Sequence, residues 1–164
     1  MVEDFNDEKK EEIKEEAPSI KAPIALWLIL LFISLLSYLL YTFNLYKSSI
    51  VIFYFILYPG NIIIPIIIGL IIGDASGYSF KSTDRVMKVA IFNSIYTGLI
   101  YGIFILIYFE FISYLSPSFL NSLFIFLNVK SITDFIVAQF LLPFLILILS
   151  SMVFGLLSYE RRHI

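Results

Sequence analysis

Apart from serines and tyrosines, four polar side chains lie deep within the long apolar stretches of this sequence, and they are the first candidates for a functional site. They are Asn61, Asn93, Thr97 and Gln139. Amide and hydroxyl groups inside an apolar segment either bond one helix to another or line the path of a substrate or an ion. Binding or helix packing is therefore the chemistry expected of them.

The sequence contains no constellation of residues that is typical of catalysis or metal binding. It has no cysteine, and its single histidine, His163, is the penultimate residue. Intramembrane hydrolysis needs a Ser-His, Asp-Asp or His-rich metal constellation, and none is present. There is also no nucleotide-binding fingerprint and no basic patch suited to nucleic acid. We predict no enzymatic activity, no catalytic, cofactor-binding or metal-binding residues, and no nucleic-acid partner.

The elements that must position the four polar residues are long apolar blocks. Hydrophobic residues make up 60% of the 164 positions. Four blocks contain no Asp, Glu, Lys or Arg, and each has about the 20 residues that cross 30 Å of hydrocarbon as a helix. They are apolar on all sides, which excludes the alternating strands of a β-barrel. The predicted spans are residues 24–43, 50–72, 89–109 and 135–157.

Basic residues are distributed unequally between the connections. Of the 11 Lys and Arg residues, all but Lys47 and Lys130 lie before the first block, between the second and third, or after the fourth. Cytoplasmic loops retain Lys and Arg, so both termini are predicted to be cytoplasmic. The short connection 44–49 makes the first two helices antiparallel neighbours. The predicted fold is all-α, an antiparallel four-transmembrane-helix bundle in the cell membrane.

The remaining segments are more polar. Residues 1–21, which hold most of the 13 carboxylates, are predicted to form a mobile cytoplasmic tail ahead of a transmembrane domain over 22–164. Residues 73–85 are predicted to form a polar inner loop containing Asp74, which leaves every span without a carboxylate. From Pro117, apolar and polar residues alternate at helical spacing, which predicts a short helix on the outer interface, with a re-entrant placement of 113–130 left open. Ser131 to Asp134 matches a capping box.

Small residues at intervals of four predict where helices approach closely, because association in lipid depends on such contacts. The third helix has the longest such stripe, and Gly98 and Gly102 are predicted to form the tightest contact. The second helix ends with Gly69 and Gly73, and Gly77 is predicted to lie in the loop. The stripe of the third helix consists of Ala90, Ser94, Gly98 and Gly102.

Prolines free backbone carbonyls beside two of the polar residues. Asn61 and Gln139 each lie four residues before a proline, which cannot donate to the carbonyl four residues back. Pro59-Gly60 is a further weak point, where the second helix is expected to be discontinuous.

Depth relates these two residues to the other helices. Counted from the predicted cytoplasmic ends, Asn61 lies about 16 Å deep and Gln139 about 27 Å deep. Asn61 is then level with Thr97 and Gly98, which favours a hydrogen bond between the second and third helices. Interrupted helices in two halves are also typical of transporters, so a substrate or ion site is the alternative.

The run IIIPIIIGLIIGDASGYSF, followed by a helix with small residues and a terminal GLLSYERRHI, resembles small uncharacterised archaeal four-helix membrane proteins. The resemblance implies no activity. We predict a non-enzymatic structural or accessory protein in the lipid bilayer, alone, as a homo-oligomer or in a larger membrane complex. The alternative is a small oligomeric transporter or channel lined by Asn61, Asn93, Thr97 and Gln139. Whether Asn61 and Gln139 face a shared cavity or a neighbouring helix distinguishes the two.

Overall fold

The computed structural model describes residues 18–163, and every regular element in that range is helical. Except for residues 18–21, the predicted tail lies outside the described residues. A 3-10 turn covers Lys47–Ser49, and a π-helical segment covers Val137–Leu141. The α-helices are α1 (Lys21–Thr42), α2 (Ile50–Leu57), α3 (Gly60–Ser79), α4 (Thr83–Leu115), α5 (Pro117–Phe126), α6 (Ile132–Ile136) and α7 (Leu142–His163).

Four helical stretches are long and apolar enough to cross a membrane, as the sequence predicted. Each has at least 20 residues and a mean hydropathy of 1.8 or more. In the fourth stretch α6, the π-helical segment and α7 follow one another directly, and the π-helical segment interrupts the regular α-helical pattern. The four are Lys21–Thr42, Gly60–Ser79, Thr83–Leu115 and Thr133–Arg162.

The second apolar block is discontinuous where Pro59-Gly60 predicted it. α2 ends at Leu57, the Tyr58-Pro59 peptide bond is cis, and α3 begins at Gly60. α3 then continues to Ser79, so the predicted inner loop over 73–85 is wrong, and Gly77 lies in the helix.

The polar end of α3 stays helical because its polar groups find partners. The hydroxyls of Ser76 and Ser79 donate to the carbonyls of Ile72 and Ala75, one turn back. The glycines of the same segment pack against α7. The connection between α3 and α4 is therefore reduced to residues 80–82, where Ser82 accepts a hydrogen bond from the backbone N–H of Arg85 and caps α4.

α5 forms the short helix expected between the third and fourth spans. Its Leu123 is fully buried, and the Phe119 ring lies 4.7 Å from that of Tyr38 and 5.5 Å from that of Phe53. α5 therefore packs over the ends of α1 and α2. Its interfacial position in a membrane stays a prediction.

Ser131 caps the next helix, as the capping-box pattern predicted. Its hydroxyl accepts a hydrogen bond from the backbone N–H of Asp134 over 3.1 Å. The Asp134 carboxylate accepts from the backbone N–H of Lys130, one residue before the cap itself. The fourth span therefore begins at a fixed point, just ahead of the π-helical segment.

The order of contacts gives the relative directions of the helices. α3 and α7 make the most extensive contact, and their contacts advance together along both helices, so the two run in the same direction. α1 and α4 also run in the same direction, because Trp27 stacks on Tyr101 and Ser34 bonds Tyr108 over 2.7 Å. α4 and α7 run in opposite directions.

Candidate functional site

Asn61 and Gln139 meet at the two irregular points of the helices. The Asn61 side-chain amide donates to the carbonyl of Ala138 over 3.2 Å, and the Gln139 amide donates to the carbonyl of Leu57 over 3.4 Å. Each residue therefore bonds the irregular backbone of the other helix. We call residues 57–61 and Val137–Leu141 the paired helix breaks.

The contact between Asn61 and the fourth span is explained by the length of α3, which changes the distance from Asn61 to the end of its helix. Because α3 ends at Ser79, 18 residues separate Asn61 from the end of its helix, and they span about 27 Å. That equals the depth predicted for Gln139. The expected bond from Asn61 to the third helix is therefore wrong, since its partner lies in the fourth span.

An aromatic residue of α4 and one of α1 pack beside the paired helix breaks. The Tyr101 hydroxyl donates to the carbonyl of Gln139 over 3.4 Å. Trp27 stacks on Tyr101 with ring centroids 3.9 Å apart, and both residues are at most 5% exposed. Sequence reasoning did not assign these two residues to a site, because nothing in the pattern relates a deep tyrosine on one helix to a tryptophan on another.

Asn93 and Thr97 are buried, but they do not join this network. In the described part of the chain no hydrogen bond connects either residue to Asn61 or Gln139. Thr97 is fully buried, and its hydroxyl has no hydrogen-bond partner. The structure thus brings together two of the four predicted site residues and leaves the other two apart.

Some polar atoms at the paired helix breaks have no protein partner. The side-chain oxygens of Asn61 and Gln139 and the indole N–H of Trp27 are buried without a hydrogen bond. Leaving such a group unpaired in an apolar interior costs about 1–3 kcal/mol. The two amide oxygens can therefore accept further hydrogen bonds, and the indole N–H of the neighbouring Trp27 can donate one. The paired helix breaks hold no titratable carboxylate, amine or imidazole.

Asp74 lies within a candidate span and not in the loop where it was expected. It belongs to α3, it is half-buried, and the hydroxyl of Ser158 donates to its carboxylate. α3 therefore carries a carboxylate two residues beyond the predicted span 50–72, and the expectation that no carboxylate lies within the membrane stays a prediction. Asp74 is 13 residues, or about 20 Å, from Asn61 along the helix, so it is not part of the paired helix breaks. No group of three or more potential metal ligands occurs among the described residues.

The backbones of α3 and α7 approach each other closely at two glycines of α3. A Cβ atom added to Gly73 would lie 2.7 Å from the backbone nitrogen of Gly155, and one added to Gly77 would lie 2.6 Å from the Gly155 carbonyl oxygen. Gly69 instead faces the side chain of Ser150, and a Cβ atom added there would lie 3.0 Å from the carbonyl oxygen of Leu147. We call the line formed by Gly69, Gly73 and Gly77 the α3 glycine seam.

Gly98 and Gly102 make a different kind of contact. A Cβ atom added to Gly98 would lie 2.6 Å from Cε2 of Phe144, and one added to Gly102 would lie 2.9 Å from Cδ2 of Phe140. The atoms nearest these glycines belong to aromatic rings, so among the described glycines the backbone-to-backbone contact lies at Gly73 and Gly77, and the prediction that Gly98 and Gly102 form the tightest contact stays a prediction. Ser94 of the same stripe donates to Ser151 over 2.6 Å, and Ala90 is fully buried.

Comparison with protein-family models, with curated proteins and with solved structures gave no match for this chain. Function is therefore inferred from its own residues and contacts.

Proposed function

We propose that this chain is a non-enzymatic, multi-pass protein of the cell membrane that acts as a structural protein or as an accessory subunit of a larger complex. The observation that supports it most is the use of Asn61 and Gln139. Their amides bond the backbone of a neighbouring helix, which was the outcome expected of a structural role. We also propose that the chain is related to the small archaeal four-helix membrane proteins that its sequence resembles.

The outward-facing surface is consistent with lipid or with a further membrane subunit. Large apolar side chains such as Phe32, Phe92 and Ile103 are at least 60% exposed. A bilayer or a partner helix would cover such residues, whereas water would not.

Recovery of the native assembly tests the accessory role. The tagged chain would be extracted from its own membranes in mild detergent, purified and analysed by mass spectrometry, with untagged membranes as the control. We expect one larger membrane protein to be recovered reproducibly. We also expect Asn61→Ala to retain that partner, because Asn61 bonds within the chain. Recovery of the chain alone or only as a homo-oligomer would contradict the accessory role.

The proposed arrangement is an antiparallel bundle with both termini in the cytoplasm, supported by the unequal distribution of basic residues. Because the chain has no native cysteine, single cysteines report topology without background. Ser19→Cys and Glu160→Cys are expected to resist a membrane-impermeant maleimide in intact cells. Ser48→Cys and Asn121→Cys are expected to react. The reverse labelling pattern would contradict the proposal and show that both termini lie outside the cell.

A small oligomeric transporter or channel is the second candidate. It is favoured by the alignment of the paired helix breaks, where the side-chain oxygens of Asn61 and Gln139 are buried without partners. The full chain would be reconstituted into liposomes, and flux of monovalent cations and small neutral solutes would be measured. Transport predicts that Asn61→Ala reduces flux at least about tenfold while Ser34→Ala does not. Flux that is unchanged by Asn61→Ala would contradict this candidate.

A further inference from the structure

α1 begins far short of the end of the molecule at which α4 begins. Trp27, six residues after the first residue of α1, stacks on Tyr101, which lies 18 residues after the first residue of α4. Ser34 and Tyr108, which bond each other, lie 13 and 25 residues after the same two starts. Both contacts give an offset of 12 residues, so α4 extends about 18 Å beyond the start of α1.

α3 and α7 reach the same end of the molecule as the start of α4. α3 is joined to α4 by residues 80–82 alone. From the last turns of α7, the Tyr159 hydroxyl donates to the carbonyl of Lys81, and the Arg162 guanidinium donates to the carbonyl of Tyr78. This end is therefore built from three helices, and α1 does not reach it.

The three-helix end carries more basic than acidic side chains. Residues 74–88 and 155–163 contain five basic residues and three carboxylates. Two of the carboxylates have partners within this end, since Asp74 accepts from the Ser158 hydroxyl and Asp84 pairs with Lys88. We call this end, by its basic residues, the basic end. They are Lys81, Arg85, Lys88, Arg161 and Arg162.

The sequence that precedes α1 has the opposite charge. Residues 1–17, which we call the acidic segment, contain eight carboxylates and three lysines. Complementary charges of this kind select a partner and hold it in register, and they do so more strongly at low salt.

The offset of α1 places the acidic segment beside the basic end. The first residue of α1 is level with Ile95 of α4, inside the apolar block 89–109. Carboxylates that face hydrocarbon are costly, so the chain that leads into α1 has to bring them to water or to basic partners. Six residues of extended chain reach about 20 Å. Glu15, six residues before Lys21, is therefore within reach of the basic end about 18 Å away.

We propose that the acidic segment binds to the basic end, with its carboxylates paired to basic side chains of α4 and α7. The occupant of this surface is then a segment of the chain itself. The proposal differs from the mobile tail predicted from composition, and a distance measurement distinguishes the two.

Double electron–electron resonance on the full chain in phosphatidylcholine vesicles tests the proposal. Spin labels at Asn6→Cys and Thr83→Cys report the distance between the acidic segment and the start of α4, and the chain has no native cysteine. We expect a narrow distance distribution at low salt and one at least about twofold broader at 1 M salt, where the Debye length is about 3 Å. A distribution that is equally broad at both salt concentrations would overturn the proposal.

The acidic segment supplies a matched control for the sign of its charge. Removing four carboxylates is expected to broaden the low-salt distribution at least about twofold, because the attraction is lost. Removing the three lysines is expected to leave it narrow. Equal broadening in both variants would overturn the proposal. The first variant combines Glu11→Gln, Glu12→Gln, Glu15→Gln and Glu16→Gln, and the second combines Lys9→Gln, Lys10→Gln and Lys14→Gln.

The basic end has a matched control at the opposite end of the molecule. Lys88→Gln combined with Arg161→Gln removes two exposed basic residues of the basic end and is expected to broaden the distribution. Lys47→Gln combined with Lys130→Gln removes two exposed lysines of the other end and is expected to leave it unchanged. Equal broadening in the two pairs would overturn the proposal.

Anionic lipid headgroups are the other occupant that such a surface attracts. Native mass spectrometry of the purified chain with phosphatidylglycerol identifies this outcome. A low-salt distribution that is broad in phosphatidylcholine vesicles, together with phosphatidylglycerol that is retained by the unmodified chain and lost in the Lys88→Gln and Arg161→Gln pair, would assign the basic end to lipid and overturn the proposal.

Discussion

α7 packs against two helices that carry glycines at intervals of four, and the two contacts differ in kind. Against α3, Gly73 and Gly77 of the α3 glycine seam meet the backbone of residues around Gly155. Against α4, Gly98 and Gly102 meet the rings of Phe144 and Phe140. The same spacing therefore produces a backbone-to-backbone contact in one place and a ring-to-glycine contact in the other.

The difference shows what determines a small-residue contact in a membrane. The spacing creates a groove, but the facing residues decide what fills it. Opposite the α3 glycine seam, α7 presents Ser151, Gly155 and Ser158, which are small enough to let the backbones approach. Opposite Gly98 and Gly102 lie the rings of Phe144 on α7 and of Phe140 in the π-helical segment, and these rings fill the groove with side chains. The first contact is rigid, and the second can adjust by movement of a ring.

Gly73→Leu is the substitution with the largest expected effect. Its side chain would meet backbone atoms of α7, which cannot move without separating the two helices. We expect a loss of more than about 3 kcal/mol in the free energy of unfolding. Denaturant unfolding in detergent micelles, followed by circular dichroism, measures this loss. Gly102→Leu, which meets a side chain, is the matched variant and should lose less; an equal or greater loss there would contradict the distinction between the two contacts.

Asn61→Ala and Gln139→Ala test the paired helix breaks, which lie at one end of the α3–α7 contact. Each removes an amide that satisfies a carbonyl in irregular backbone, so each is expected to cost about 1–2 kcal/mol. The double variant should lose less than the sum, with a coupling of about 0.5 kcal/mol or more, because both bonds depend on the same alignment of α3 and α7. Unfolding of the two single variants and the double variant measures the coupling.

Asn93→Ala is the control for this cycle, since Asn93 is buried but does not bond the breaks. Strict additivity between Asn61→Ala and Gln139→Ala would mean that the two bonds form independently. The alignment of α3 and α7 would then depend on the α3 glycine seam alone.

The four spans could be predicted from the sequence because their physical requirement is local. A helix needs about 20 apolar residues to cross hydrocarbon, and that requirement is visible in composition alone. The discontinuity at Pro59-Gly60 and the cap at Ser131 were visible for a similar reason, since proline removes a donor and serine supplies an acceptor at a known spacing.

The end of α3 could not be read in the same way. Residues 73–79 have the composition of a loop, and their helical structure depends on packing against Gly155 and on serine hydroxyls that bond one turn back. Because the helix was expected to end at residue 72, Asn61 was placed too close to that end and was paired with the third span, whereas it bonds Ala138 of the fourth span. Tyr101 and Trp27 were missed because their roles exist only through contacts between distant helices.

Gly98→Ala examines the adjustable contact with a smaller change. The added methyl group would crowd the Phe144 ring, and a modest movement of that ring should limit the cost to about 1 kcal/mol. Gly98→Ala combined with Phe144→Leu should recover most of the loss, because the shorter side chain leaves room for the methyl group. Thermal unfolding of the single and double variants measures the recovery. A loss in Gly98→Ala as large as that in Gly73→Ala would show that the α4 contact is as rigid as the α3 glycine seam.

Thr97→Val has the smallest expected effect, and its expected direction is opposite to the others. Thr97 is fully buried beside Gly98, and its hydroxyl has no hydrogen-bond partner. Replacing the hydroxyl by a methyl group of similar size removes an unpaired polar group, so the free energy of unfolding should be unchanged or raised by up to about 1 kcal/mol. Ser94→Ala, three residues earlier on α4, breaks the 2.6 Å bond to Ser151 and should lower it. A destabilised Thr97→Val would indicate that the hydroxyl has a hydrogen-bond partner when the protein is in its membrane. Thr97 would then again be a candidate site residue beside Asn61 and Gln139.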